Sequence, residues 1–86
     1  MNSIPFDKYN TVDELIEEID NNFDIEFEYA GKQYSICPTG KGPSIAEWNY
    51  EETYMTFIDG SDLVEKYLIN GKPLKDIVQE IKVISH

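Results

Sequence analysis

Residues 24–36, DIEFEYAGKQYSI, alternate with a period of two. Ile25, Phe27 and Tyr29 fall against Asp24, Glu26 and Glu28, and Tyr34 and Ile36 resume the apolar row after Gly31. That period gives each strand one buried face and one wet face. With a tight turn at Gly31 it predicts a β-hairpin over 23–37 whose two apolar rows share one side. One face of the resulting sheet must be covered by other parts of the chain, and the opposite face is expected to be solvated and acidic.

The cover is legible on both sides of the hairpin. In TVDELIEEI, Thr11 and Glu14 have the spacing of a capping box, which predicts a helix from Val12. Val12, Leu15, Ile16 and Ile19 then form one apolar stripe, with Asp13, Glu14, Glu17, Glu18 and Asp20 on the other faces. Towards the end, Ser61 suits the cap of a helix DLVEKYLI, Asn70-Gly71 suits its left-handed terminus, and Pro73 suits the first position of another helix. Leu74, Ile77, Val78 and Ile81 form its stripe, although IKVIS reads alternatively as a strand extending the sheet.

Between these, CPTGKGPS (37–44) reads as a flexible inter-strand loop with stiffened ends, a hinge between the hairpin and the aromatic segment. SIAEWNYEETYMTFI follows as two strands turning near Glu51 and Glu52, in preference to one long bulged strand. The orientation of Trp48 depends on that register. The chain therefore reads α-β-β-β-(β)-α-α. This is an α+β fold, a three- or four-stranded antiparallel meander with one N-terminal helix and two short C-terminal helices on one face.

With 86 residues the chain closes a single core, so 1–86 is expected to be one domain, with 1–10 a partly ordered N-terminal extension. There is no apolar run near 18 residues and no basic, apolar leader in MNSIPFDKYN, and Cys37 stands alone, so the expected location is the cytoplasm. The absence of arginine and the frequency of Asn and Ile suggest an AT-rich bacterial or phage genome.

Motifs for chemistry fail on their requirements. Gly40-Lys41-Gly42 lacks the hydroxyl after lysine and the following helix of a phosphate loop, and Pro38 and Pro43 remove two amides from such a nest. DNNFDIE carries alternate acids and Asn as a calcium loop does, but Ile25 and Gly31 stand where that loop needs glycine and glutamate. Cys37 as a nucleophile requires a base, and the sole histidine is His86 at the chain end. One Cys and one His do not make a zinc site. No catalytic residue, metal or cofactor is expected, and the chain is read as a non-enzyme.

The α-β-β-β-α order resembles the topology of the double-stranded-RNA-binding domain, which would imply RNA as a ligand. The basic cluster which that domain carries at its last helix is represented here only by Lys72 and Lys75, beside Pro73 and Asp76. A net charge of −10 opposes contact with nucleic acid and with anionic membranes.

The acid is segregated. Residues 1–28 hold nine acids and one lysine, 29–44 two lysines and no acid, 45–65 six acids and no lysine, and 66–86 four lysines and two acids. In the first helix Asp13 and Glu17, and Glu14 and Glu18, are like-charge pairs four residues apart, each costing a few tenths of a kcal/mol (~0.2–0.5). Joined to outward Glu26 and Glu28 and to Glu51 and Glu52, Glu14, Glu17 and Glu18 form the expected contact surface for a basic protein. The expectation is an acidic interaction protein of the immunity, antitoxin-like or phage-encoded inhibitor type, monomeric or a small homo-oligomer. The alternative is a structural or accessory domain that self-associates through sheet edges or aromatic surface, its charge serving solubility only.

Overall fold

The computed structural model describes residues 8–48 and 50–86, with the side chains of 50–52 outside that description. The elements are α1 (Val12–Asp20), β1 (Ile25–Tyr29), β2 (Lys32–Thr39), β3 (Gly42–Glu47), β4 (Tyr50–Thr56), α2 (Gly60–Lys66), β5 (Leu68–Ile69), β6 (Lys72–Pro73), α3 (Leu74–Ile77) and β7 (Lys82–Ser85). The larger sheet is antiparallel with the order β4-β3-β2-β1-β7, and β5 and β6 form a separate small hairpin. The molecule is an α+β fold with an N-terminal helix and short C-terminal helices, and the sheet has five strands where three or four were expected. The fifth is the IKVIS segment: α3 stops after one turn, Ile81 stays in the core, and Lys82–Ser85 pairs with β1.

The alternation of the hairpin produces the register directly. Ile25 faces Ile36 and Phe27 faces Tyr34, with those four side chains buried. The Phe27 and Tyr34 rings stack at a centroid distance of 5.2 Å. Each such aromatic removed from water contributes about 1.5–3 kcal/mol. Ile45 from β3 and Val83 from β7 extend the same face, and Leu15, Ile19, Leu63, Val64, Leu74, Ile77, Val78 and Ile81 cover it from the helical side. Tyr9 is also buried in this core, so part of the expected N-terminal extension is packed; residues 1–7 lie outside the described residues.

Several local expectations are corrected. CPTGKGPS is not a flexible hinge but ladder: Cys37 faces Ser44, Pro38 faces Pro43, Thr39 faces Gly42, and only Gly40 and Lys41 form the turn. The Thr39 hydroxyl stiffens it, donating to the Gly42 carbonyl and accepting from the Lys41 N–H. Gly42 is required by packing, because a Cβ there would lie 2.0 Å from the Phe57 carbonyl oxygen of the segment leaving β4. β3 ends at Glu47 and β4 begins at Tyr50, so the chain reverses ahead of Glu51 and Glu52, which lie within β4. Trp48 is exposed, outside the core.

Asp59, not Ser61, caps α2, its carboxylate accepting from the Asp62 N–H at 2.9 Å. The helix also ends at Lys66 and not at Ile69. Asn70 and Gly71, with φ of 54° and 82°, form the tight turn of the β5–β6 hairpin, so the same positive-φ chemistry serves a hairpin where a helix terminus was expected. Pro73 occupies the cap position of α3, not its first helical position.

Candidate functional site

The capping box of α1 forms as expected, and it occupies Glu14. Its Oε1 accepts from the N–H groups of Asn10 at 2.7 Å and Thr11 at 3.3 Å while Thr11 accepts from the Glu14 N–H. Glu18 is engaged as well. Its Oε1 accepts from the buried Tyr9 hydroxyl at 2.7 Å, and its Oε2 lies 3.1 Å from His86 Nδ1. Burial first, and then this bond to Glu18, push the Tyr9 phenol well above its ordinary range. Two of the three α1 glutamates singled out in the sequence thus have structural partners. Glu17 is exposed, as are Asp13 and Asp20.

Glu26 and Glu28 lie on the other side of the molecule. Their neighbours Ile25 and Phe27 point to the helices, so these two carboxylates stand on the open face of the sheet, with Glu28 directly opposite Gln33 and Lys82. The acids proposed for one continuous surface are therefore divided by the thickness of the sheet. Glu51 and Glu52 belong to β4 by backbone, and their side chains fall outside the described residues.

What the fold joins instead is α1 and α2. The Gly60 N–H donates to Asp20 Oδ1 at 2.8 Å, and a Cβ on Gly60 would meet that oxygen at 2.9 Å and the Ile16 carbonyl at 3.1 Å. A side chain at this position would have to displace the Asp20 carboxylate and press on the Ile16 backbone, so glycine eases the close approach of α2 to the end of α1. The junction brings the two acid-rich segments of the chain into one helical layer, with Asp13, Glu17, Asp20, Asp59 and Glu65 exposed on it. Asp59 and Glu65 were not singled out from the sequence, although the lysine-free block 45–65 was the signal that carried them. Lys66 is the cation of α2, and its Nζ sits 2.7 Å from Asp62 Oδ1. That ammonium, followed by the Ile58 N–H, holds the Asp62 carboxyl below the usual range.

A second polar group borders the core on the helical side of the sheet. Glu47 is half-buried, 3.9 Å from Lys32 Nζ, and its charge adds to burial in raising the Tyr34 and Tyr67 phenols, the latter up to about 12. Tyr67 packs edge-on against both Tyr34 and Phe57.

Cys37 is half-buried on the open face, its Sγ 3.8 Å from Ser35 Oγ, while His86 lies against Tyr9 and Glu18 beside α1, so the sequence's nucleophile and base are not brought together. Among the described residues no group of three or more His, Cys, Asp or Glu side chains is placed to hold a metal ion, and no helix is long and apolar enough to cross a membrane. Compared with protein-family models, curated proteins and solved structures, the chain matches none.

Proposed function

We propose that this chain is a small non-enzymatic protein that binds a basic protein partner through the acidic layer of α1 and α2, in the manner of an immunity protein, an antitoxin-like inhibitor or a phage-encoded blocker. The observation carrying this reading is the Gly60–Asp20 junction, which holds α2 against α1, two helical segments with exposed Asp13, Glu17, Asp20, Asp59 and Glu65, in a molecule of net charge −10. Such a field accelerates encounter with a cationic surface and disfavours acidic competitors. A lone cysteine fits a reducing compartment such as the cytoplasm.

The test is affinity capture from the expressing cell, with the wild type and a variant carrying Asp13→Lys, Glu17→Lys and Glu65→Lys. Glu14 and Glu18 are left intact because they hold the fold. A basic partner retained at about 0.15 M salt, released at about 0.5 M and lost with the variant is the expected result. Retention indifferent to both salt and reversal overturns the reading.

The exposed aromatic and apolar side chains around β4 favour a second reading, self-association of an accessory domain. Sedimentation that stays monomeric from micromolar to millimolar concentration eliminates it.

A further inference from the structure

The helical side of the sheet carries a polar cluster that the core leaves incomplete. Tyr34 on β2 stands directly opposite Glu47 on β3, and Tyr67, which closes α2, packs edge-on against Tyr34 with ring centroids 6.4 Å apart. Lys32, two residues before Tyr34 on the same strand and so on the same face, borders the group from the exposed side.

A phenol buried in a core ordinarily has a hydrogen-bond partner. Tyr34 is 4% exposed and Tyr67 8%, yet among the described residues neither hydroxyl bonds to a protein group. The Glu47 carboxylate, on a side chain 24% exposed, lacks a donor too, because Lys32 Nζ is 3.9 Å from it, beyond hydrogen-bond reach. Burial raises both phenols first, and the Glu47 charge adds to it in each, so the three groups share one electrostatic neighbourhood. Both phenols therefore stay protonated at neutral pH, with acceptor lone pairs to spare.

We propose that Glu47, Tyr34 and Tyr67 seat the ammonium group of a lysine side chain from the partner, which takes the place of Lys32 beside the carboxylate. This rests on the basic-partner reading and names the side chain that is recognised. An ammonium carries three N–H groups and no acceptor, which matches one carboxylate and two phenol oxygens left without donors. A guanidinium directs its donors in a single plane and suits a lone carboxylate better. The seat also adjoins the proposed interface, since Tyr67 follows the last residue of α2, on which Glu65 is exposed.

The probes are n-butylammonium, which presents the end of a lysine side chain, and tetramethylammonium, which has the same charge and no N–H. Backbone amide shifts are read on the full chain at constant ionic strength. The expected result is saturable shifts at Tyr34, Glu47 and Tyr67 at about millimolar n-butylammonium, with tetramethylammonium about tenfold weaker. Glu47→Gln should weaken n-butylammonium about tenfold and Tyr67→Phe about threefold, whereas Lys32→Gln should tighten it about threefold by freeing the carboxylate. A gain of affinity is not produced by unfolding, so the Lys32 variant keeps the test independent of stability. Affinity capture of the basic partner should weaken with Glu47→Gln as well.

Equal binding of the two cations, or no saturable shift at these three amides, overturns the seat. If capture is then still released by salt and lost on reversal of Asp13, Glu17 and Glu65, the acidic reading stands without it. Binding of n-butylammonium that Glu47→Gln abolishes, with capture unchanged by that variant, overturns the partner's lysine in favour of a free amine. Capture indifferent to salt and to every one of these substitutions overturns both readings.

Discussion

Ala30 adopts φ of 54° in the turn between β1 and β2, followed by Gly31 at 81°. A left-handed alanine meets its own carbonyl sterically, at a cost of about 1–2 kcal/mol, and asparagine tolerates the region far better. Ala30 is exposed and the turn is otherwise a hairpin of the Asn-Gly kind. Ala30→Asn is therefore expected to raise stability by about 0.5–1 kcal/mol, measured by the denaturant midpoint with an unchanged slope. The sequence pointed to a turn at Gly31, but the strain one residue earlier was hidden, since alanine carries no turn signal. Glu14 and Glu18 were legible as acids on a helix; that they bind Asn10, Thr11 and Tyr9 was not, beyond the Thr11 box.

At the scale of elements, α2 offers a direct comparison of two caps. Asp59→Ala should cost about 1 kcal/mol because it leaves the Asp62 N–H without its acceptor, whereas Ser61→Ala, an exposed helical position, should change thermal stability by less than about 0.5 kcal/mol. Equal effects would return the cap to Ser61. The strand-helix junction around Tyr67 gives a pH prediction. Its phenol is raised from 10.0 to about 12 by burial, then by the charges of Tyr34 and Glu47. A raised value means the folded state holds the proton more tightly. This contribution is therefore complete below about pH 10 and is lost as pH climbs towards 12. Tyr67→Phe should show a shallower fall in denaturation midpoint across that window than the wild type. A residual fall is expected from Tyr9 and Tyr34, which are raised in the same direction.

For the whole molecule, 17 acids against 7 lysines make self-repulsion the dominant long-range term. Asp13 with Glu17 and Glu14 with Glu18 repeat it locally within α1. Raising sodium chloride from low ionic strength to about 0.15 M should stabilise the fold by about 1 kcal/mol, or about 4–8 °C in Tm, in contrast to proteins held by surface ion pairs. A Tm that falls with salt would show that pairs such as Lys66–Asp62 and Lys32–Glu47 outweigh the repulsion.

The sequence by itself determined the hairpin and its register, the start of α1 and the one-sided core, because periodicities of 2 and 3.6 and a capping box are local properties of neighbouring residues. It also determined that the acid lies in two blocks. Only the tertiary structure decided where those blocks meet. Glu26 and Glu28 are six to fifteen positions from the acids of α1 yet lie across the sheet from them, while Asp59 and Glu65 are 39 to 52 positions away and share their layer. The reasons are the alternation of a strand, which sends successive side chains to opposite faces, and the close approach at Gly60, which no local pattern announces. Likewise IKVIS carries enough apolar residues for helix or strand, and it became β7 because the edge of β1 was free to pair with it.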